Sequence, residues 1–249
     1  MSVHNMNNII QAEHLKGRHT FGTYLPVIAP MATLLLVLVL TRGAANAFPA
    51  GAWNWWYATL LPGTLAVMCD LSVAKDRRTR YYNLKSLSVS GRKLILGKIL
   101  YLALGLFAAN GILFVGASIG GAVFGTTIPV GSAAIAALLL TVSYLWEIPV
   151  YLFLSARFGI FADIFLCMVL SIGGVTTVAD RGSWWLCPSS IPVRLMCPTL
   201  GLLPNGLPIP AGSELWNTHV ILPGILLSLA WFAGSAMLFA FWFEKMEVK

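Results

Sequence analysis

The sequence predicts an all-α integral membrane protein that crosses the bilayer about six times and keeps both termini in the cytoplasm. Hydrophobic residues make up 58% of the 249 residues, and Asp, Glu, Lys and Arg only 10%. That is too few charges to cover a soluble domain, in which about 25% of residues are charged. Six stretches reach the length of about 20 mostly apolar residues that a transmembrane helix needs. Lysines and arginines are concentrated in alternate connections between these stretches.

The six predicted spans form a single transmembrane domain over residues 1–249. They cover residues 21–40, 55–73, 94–115, 133–154, 160–178 and 220–243. Each span is expected to be helical, because in lipid every backbone N–H and C=O must find its partner within the chain. The residues before the first span are mostly polar, so we expect no cleavable secretory signal and a first span that stays as an anchor.

The distribution of positive charge predicts the orientation, because cytoplasmic loops near spans carry the excess of lysine and arginine. With the N terminus inside, the cytoplasmic set comprises Lys16, Arg18, Lys75, Arg77, Arg78, Arg80, Lys85, Arg92, Lys93, Lys98, Arg157, Lys245 and Lys249. Only Arg42, Arg181 and Arg194 fall outside. Topology therefore explains the net charge of +7, and we expect no nucleic-acid partner.

Two segments outside the spans flank the predicted domain on opposite sides of the membrane. The cytoplasmic N-terminal segment, residues 1–20, carries Met6, Ile9 and Ile10 on one helical face. This pattern fits a short helix on the inner membrane surface or a flexible tail. The extracellular loop, residues 179–219, is long and too apolar for disorder, so we expect it to fold back on the outer face of the membrane. Its prolines allow only short helices.

The basic segment of residues 74–93 connects the second and third spans. Tyr81 and Leu84 are one helical turn apart, which predicts a short cytoplasmic helix followed by a turn, and Ser90 is placed to cap the third span. Alternatively, the charges of this segment only touch anionic headgroups. That role does not explain the tyrosines and leucines within it.

The chain carries no recognisable site for ATP chemistry, so we expect it to bind no cofactor. Its nearest approach to a phosphate-binding loop, Gly97-Lys98, lacks the Ser or Thr that holds magnesium. A GxSxG pattern around Ser118 would suit a membrane-embedded hydrolase, but it lacks the strand and helix of the serine-hydrolase elbow. Gly116 and Gly120 are better explained as small residues that let helices approach closely.

Three acids, Asp70, Glu147 and Asp163, lie in or next to the predicted spans. Ionisable groups in a bilayer are costly and normally serve a purpose. Asp70 is close to Lys75 and Arg77 in sequence, and Asp163 lies in the first turn of its helix, so both are expected to be paired structurally. Glu147 is deeper and is the better functional candidate, for which we favour an interhelical hydrogen bond over a proton relay.

The four cysteines divide into two pairs. Cys69 and Cys167 lie in spans and are expected to be inert apolar residues. Cys187 and Cys197 share the extracellular loop, where they could form a disulfide or remain free thiols. Neighbouring metal ligands are absent from the sequence, so we expect no metal site.

Three motifs carry a resemblance to a known family: WNWWYATLLPG, KDRRTRYYNLKSLSVSGRKLILGKIL and IPVRLMCPTLGLLPNGLP. With the order of the spans, they make the chain resemble the permease subunits of lantibiotic-immunity ABC transporters, in the ABC-2 export superfamily. The resemblance covers nearly the whole chain. It implies a six-helix half-transporter in a bacterial cytoplasmic membrane, paired with a second permease and with two copies of an ATPase subunit that holds ATP and magnesium.

The resemblance also implies roles for particular residues. The segment 74–93 would be the coupling loop, with an ATPase-contacting set of Arg77, Arg78, Arg80, Tyr81, Tyr82, Leu84 and Leu87. The cargo would be a cationic antimicrobial peptide cleared from the membrane, with Trp55, Trp56, Trp184 and Trp185 as the candidate peptide-facing residues. The alternative function is a proton-coupled secondary transporter that uses Glu147.

Overall fold

The computed structural model describes residues 6–18, 20–86 and 89–246 of the chain, and these are mainly helical. The α-helices are α1 (Met6–Gly17), α2 (Phe21–Thr41), α3 (Ala47–Trp55), α4 (Leu61–Arg78), α5 (Tyr82–Lys85), α6 (Gly91–Phe124), α7 (Val130–Tyr144), α8 (Glu147–Arg157), α9 (Ile160–Ile172), α10 (Ser190–Met196) and α11 (Ile221–Lys245). Within the described ranges there is no β-strand, and the nearest feature is a single bridge between Leu202 and Pro208. The all-α class is confirmed.

Four helical segments in the described ranges are long and apolar enough to cross a membrane: Phe21–Thr41, Ala47–Arg78, Gly91–Phe124 and Thr218–Lys245. A fifth crossing results if α7 and α8, which meet at an angle of 43°, form one bent span. The remaining apolar helix, α9, covers only Ile160–Ile172. The protein is therefore a multi-pass membrane protein with four to five spanning helices by length and composition.

A π-helical turn, Trp56–Leu60, joins α3 to α4 into one continuous rod. In this turn the N–H of Leu61 donates to the carbonyl of Trp56, five residues back. The carbonyl of Tyr57 would need the N–H of residue 62 in the same way, but Pro62 has none. The hydroxyl of Tyr144, in α7, donates to this carbonyl instead. The hydrogen bond thus fixes α7 against the rod formed by α3 and α4.

Two glycines on α6 allow other helices to approach it closely. A Cβ atom on Gly116 would lie 2.1 Å from Cδ1 of Leu34 in α2, and one on Gly120 would lie 1.9 Å from Cε1 of Phe48 in α3. Neither position has room for a side chain. The GxxxG explanation of these glycines is therefore confirmed.

The N-terminal segment forms the helix α1, which packs across α6. Ile9 is buried, and its Cγ2 atom would lie 2.4 Å from a Cβ on Gly97, so only glycine allows this contact. Leu15, on the opposite face, is exposed. Of the two alternatives for this segment, the helix is confirmed, and Gly97 serves helix packing.

A buried cluster of two lysines and two carboxylates fastens α1 to α4 and α6. Nζ of Lys98 lies 2.6 Å from Oε2 of Glu13 and 3.1 Å from Oδ2 of Asp76, and the lysine is only 2% exposed in its side chain. Nζ of Lys16 lies 2.7 Å from Oε1 of Glu13 and 2.9 Å from Oδ1 of Asp76. Burial lowers the pKa of Lys16, but the two carboxylates outweigh it and raise that pKa above its ordinary value. The cluster is thus neutral as a whole.

The segment that was predicted as an extracellular loop folds back on the bundle around α10, which is buried along its length. Nδ2 of Asn54 donates to the carbonyl of Pro204 over 2.9 Å. Nη1 of Arg194 donates to the carbonyl of Leu215 over 3.1 Å. Short helical turns separated by prolines make up the segment, as the sequence predicts.

Of the two alternatives for Cys187 and Cys197, the structure has the free thiols. Cys187 lies against the hydroxyl of Ser189, with Sγ and Oγ 3.2 Å apart, while Sγ of Cys197 donates to the carbonyl of Val193. The helix α10 lies between them in the chain. Burial raises the pKa of Cys197 to about 11.

We expect Lys98→Met to destabilise the folded protein strongly. It leaves Glu13 and Asp76 buried with a single cation between them, and removing one partner of a buried ion pair costs about 3–5 kcal/mol. The measurement is the melting temperature of the purified chain in detergent, with Lys93→Met, at an exposed position of the same helix, as control. Equal melting temperatures for the two variants would contradict the assignment.

We expect a thiol-reactive maleimide at pH 8 to label Cys187 much faster than Cys197 in single-cysteine variants. The thiolate is the reactive form, and a pKa of about 11 leaves Cys197 protonated at this pH. Raising the pH towards 11 should speed labelling of Cys197. Labelling is followed by intact mass, and a mass lower by two hydrogens in the wild-type chain, with neither cysteine labelled, would restore the disulfide.

Candidate functional site

The structure brings two of the three intramembrane acids into one hydrogen-bonded chain between α4, α8 and α9. Asp70 and Arg77 are two turns apart on α4, and Nη1 of Arg77 lies 3.0 Å from Oδ1 of Asp70. The same Nη1 donates to the carbonyl of Ser155, and the hydroxyl of Ser155 donates to Oδ2 of Asp163. Asp70 is therefore paired as its sequence neighbours predict.

The hydrogen bonds around Ser155 connect the end of α8 to α4 and α9. The carbonyl of Ser155, in the last turn of α8, accepts from the N–H of Gly159 over 3.2 Å. It also accepts from Nη1 of Arg77 in α4, which adds a bond between the two helices. Asp163, at the start of α9, occupies the end of a helix where a negative charge is favoured. The arrangement fixes α4, α8 and α9 relative to one another, which is a structural role.

Glu147 lies at the break between α7 and α8. It shares with Asp163 a buried carboxylate oxygen that has no hydrogen-bond partner among the described residues. The predicted fourth span, residues 133–154, is bent by 43° at this point. At the break, the hydroxyl of Ser235 in α11 lies 3.3 Å from the carbonyl of Trp146 and 3.1 Å from the carbonyl of Phe232, and it can donate to either. Glu147 itself is 2% exposed, and its Oε2 accepts no hydrogen bond from any described residue. The expected interhelical hydrogen bond is absent at this oxygen.

The surroundings of Glu147 are polar but incomplete. Tyr151, one turn further along α8, has a buried hydroxyl without a hydrogen-bond partner in the described ranges, as has the indole N–H of Trp146. Tyr144 and Cys167 lie within electrostatic range of the carboxyl group and of Tyr151. A buried carboxyl group with one oxygen that accepts no hydrogen bond is costly as an anion. The site can therefore hold a proton or a hydrogen-bond donor from a ligand.

Metal binding has no support at this position. Over residues 6–18, 20–86 and 89–246, no group of three His, Cys, Asp or Glu side chains is arranged to hold a metal ion.

The basic segment between α4 and α6 is a sharp turn. Arg80 and Tyr81 both have positive φ angles, 48° and 61°, and the N–H of Tyr81 donates to the carbonyl of Asp76 over 2.8 Å. The turn ends α4 and starts α5, and Ser90 precedes α6 at the N-cap position without a side-chain hydrogen bond. The short predicted helix is present as α5, one turn long.

Two of the predicted ATPase-contacting residues are buried within this chain, which corrects their assignment. Tyr81 packs edge-on against Phe243 of α11, with ring centroids 5.9 Å apart, and burial raises its pKa to about 12. Leu84 lines a small cavity beside the same phenylalanine. Sequence alone did not reveal Phe243 as their shared partner. Leu87 lies outside the described residues.

The exposed part of the turn is smaller than predicted. Tyr82 is 67% exposed, and Arg78 and Arg80 are exposed as well. Arg77 is partly exposed but is engaged by Asp70 and Ser155. The turn therefore offers one tyrosine and two arginines at its surface.

Only two of the four candidate peptide-facing tryptophans lie at the surface. Trp55 and Trp185 are exposed, whereas Trp56 and Trp184 are buried. The indole N–H of Trp56 donates to Oδ1 of Asn110 over 2.8 Å, and Nδ2 of Asn110 donates to Oγ1 of Thr141 over 3.0 Å. Trp56 is therefore a core residue that links three helices. The signal that sequence analysis missed is the single asparagine in the apolar run of α6.

Comparison with known proteins adds no family to this description. No protein-family model, no curated protein and no solved structure matches the chain. Fold and site stand on the helices and contacts described above. They establish a helical, multi-pass membrane protein.

Proposed function

We propose that this chain is the membrane-spanning subunit of an exporter whose ATP is hydrolysed by a separate subunit, as the resemblance of its motifs to lantibiotic-immunity permeases implies. The observation that carries the proposal is the exposed turn of Arg78, Arg80 and Tyr82 at the end of α4. Tyrosine and arginine are among the residues that dominate protein interfaces. ATP and magnesium would be held by the partner.

The turn is connected to the membrane helices in a way that suits transmission of force. Tyr81 contacts Phe243 of α11, and Nη2 of Arg92 in α6 lies 2.9 Å from Oε2 of Glu244. Asp76, just before the turn, binds Lys98 of α6. A push on Tyr82 therefore reaches α4, α6 and α11 through packed or ion-paired side chains.

The proposed topology has six crossings with both termini in the cytoplasm of a bacterium. Basic residues support this orientation, because Lys16, Arg92 and Arg157 lie on the same side of the bundle as the turn. The fifth crossing would consist of α9 together with the π-helical segment Gly173–Val178. These residues approach the length of about 20 that a span needs. Two ATPase copies and a second permease would complete the complex.

The proposed cargo is a cationic, amphipathic antimicrobial peptide that leaves the membrane towards the outside. The segment of residues 179–219 is not an acidic trap, because Asp180 and Glu214 are matched by Arg181 and Arg194. Recognition by apolar surface is the better explanation. Trp55 and Trp185, which are exposed, are the residues of choice for that contact.

We expect co-expression of the chain with its ATPase and second permease to protect cells from a lantibiotic, and Tyr82→Asp to abolish that protection. A buried interface aromatic contributes about 2 kcal/mol or more, so docking should weaken roughly thirtyfold. Tyr82→Phe, which keeps the ring, is the matched control. Growth inhibition is measured together with the amount of chain in the membrane, which should not change.

Two results would count against this proposal. Wild-type protection by Tyr82→Asp would remove the turn as the ATPase contact. Absence of protection by the intact wild-type complex, across several lantibiotics, would remove the claim of peptide export.

A second candidate, proton-coupled secondary transport, is favoured by the break at Glu147. Transporters place their coupling sites near the membrane midplane at discontinuous helices. Here a buried carboxyl oxygen without a hydrogen-bond partner among the described residues lies at the first residue of α8, next to such a break. Protonation would remove the cost of its buried charge.

If the second candidate holds, transport should persist in vanadate and stop when an uncoupler collapses the proton gradient, and Glu147→Gln should abolish it. The substitution keeps the shape of the side chain and removes its titration. Glu214→Gln, at an exposed position, is the control. Peptide flux in reconstituted vesicles is the measurement, and vanadate-sensitive flux that ignores the uncoupler would exclude proton coupling.

A further inference from the structure

A cavity of about 500 Å³ lies between α1, α2, α4 and α6, at the end of the bundle that holds α1. Its volume is within the range of about 300–1,000 Å³ that is usual for binding sites. Pro26, Met68, Leu71 and Leu102 form apolar walls. The cavity is thus a separate site from the break at Glu147, and nothing in the proposed function uses it.

The cavity opens sideways, towards the surface that faces lipid. Val27, Leu104 and Ala108 line it and are themselves exposed on the outside of α2 and α6. On the spanning part of a membrane protein, such exposed apolar side chains are in contact with hydrocarbon. An occupant would therefore enter from the bilayer.

The other end of the cavity is polar. Glu13, Lys16, Lys75 and Tyr101 line this end. The hydroxyls of Thr20 and Thr23 are also there, but both donate to the carbonyl of Gly17, over 2.6 and 2.7 Å. Their hydroxyl protons are therefore not available to a ligand. The charged groups therefore decide which ligand fits.

The rim carries one positive charge in excess. Lys16 and Lys98 are neutralised by Glu13 and Asp76 in the cluster described above. Lys75 takes part in no ion pair among the described residues, and its Nζ donates to the carbonyl of Lys16 over 2.6 Å. Its side chain is exposed at the edge of the cavity. An apolar cavity with one excess cation at its rim is complementary to an anionic amphiphile.

We propose that this cavity binds an anionic phospholipid, with an acyl chain between α2 and α6 and the phosphate at Lys75. Basic rims next to gaps between transmembrane helices are suited to such headgroups. The lateral opening favours a ligand that arrives from the bilayer, and the excess cation disfavours a cationic peptide. The lipid would fill the gap left where α1 crosses α6 and so stabilise the docked position of α1.

The test is native mass spectrometry of the purified full-length chain, titrated with phosphatidylglycerol or with phosphatidylcholine of identical acyl chains. We expect one phosphatidylglycerol molecule to bind at least several-fold more tightly than phosphatidylcholine. Lys75→Gln should weaken phosphatidylglycerol about fivefold and leave phosphatidylcholine unchanged. Lys93→Gln, an exposed lysine outside the cavity, is the matched control.

The acyl part of the site is tested by Ala108→Trp, which fills the mouth of the cavity and should prevent binding of either lipid. Val115→Trp, at a lipid-facing position further along α6, should bind lipid as the wild type does. Equal affinity of the wild type for both lipids would overturn the proposal, as would undiminished binding by Ala108→Trp. Wild-type dimers without lipid adducts would instead assign the opening to a second copy of the chain.

Discussion

Every polar group that the bundle buries must find its partner inside the protein, because hydrocarbon offers no water. This constraint explains contacts that otherwise look unrelated. Pro62 leaves the carbonyl of Tyr57 without a donor, and Tyr144 supplies one from another helix. The carbonyl of Ser155, at the end of α8, accepts from the N–H of Gly159 and also from Arg77 of α4. The hydrogen bonds from Tyr144 and Arg77 each join two helices at a defined position. Irregularities of the helices thus determine how the helices are arranged.

The same constraint makes Glu147 a candidate functional residue. The carbonyl of Trp146, just before α8, has the hydroxyl of Ser235 within hydrogen-bond distance. The Oε2 atom of Glu147 has no such partner within the described residues, and neither has the hydroxyl of Tyr151. Asp70, by contrast, is held by Arg77. Three buried polar groups without partners in the part of the chain that the structure describes, Oε2 of Glu147, the hydroxyl of Tyr151 and the indole N–H of Trp146, come from one stretch of chain at this break. Such a group of unsatisfied atoms indicates a site that another species completes, such as a proton or a ligand.

Local signals in the sequence predicted the helices better than their contacts. Apolar length and charge located both ends of α2 and α11 to within two residues, because membrane thickness sets the length of a span. The start of α6 was also close, but this helix continues to Phe124, nine residues beyond the predicted end. The break at residues 145–146 was not predicted, and the nearby Pro149 does not explain it, because it lies in the first turn of α8, where a proline does not disrupt the helix. Burial of Tyr81 depends on Phe243, and pairing of Lys98 depends on Glu13. Both partners are distant in sequence, and no local pattern indicates them.

Asp76 connects three features that were described separately. Its carboxylate belongs to the ion cluster that fastens α1, and its carbonyl accepts from Tyr81 in the turn that we propose as the ATPase contact. The lysine that precedes it, Lys75, is the cation at the rim of the lipid cavity. Because a buried ion cluster tolerates little displacement, movement of the turn must shift α1 or break the cluster. A lipid that holds α1 in place would then oppose movement of the turn, and the membrane composition would influence coupling through this one stretch of α4.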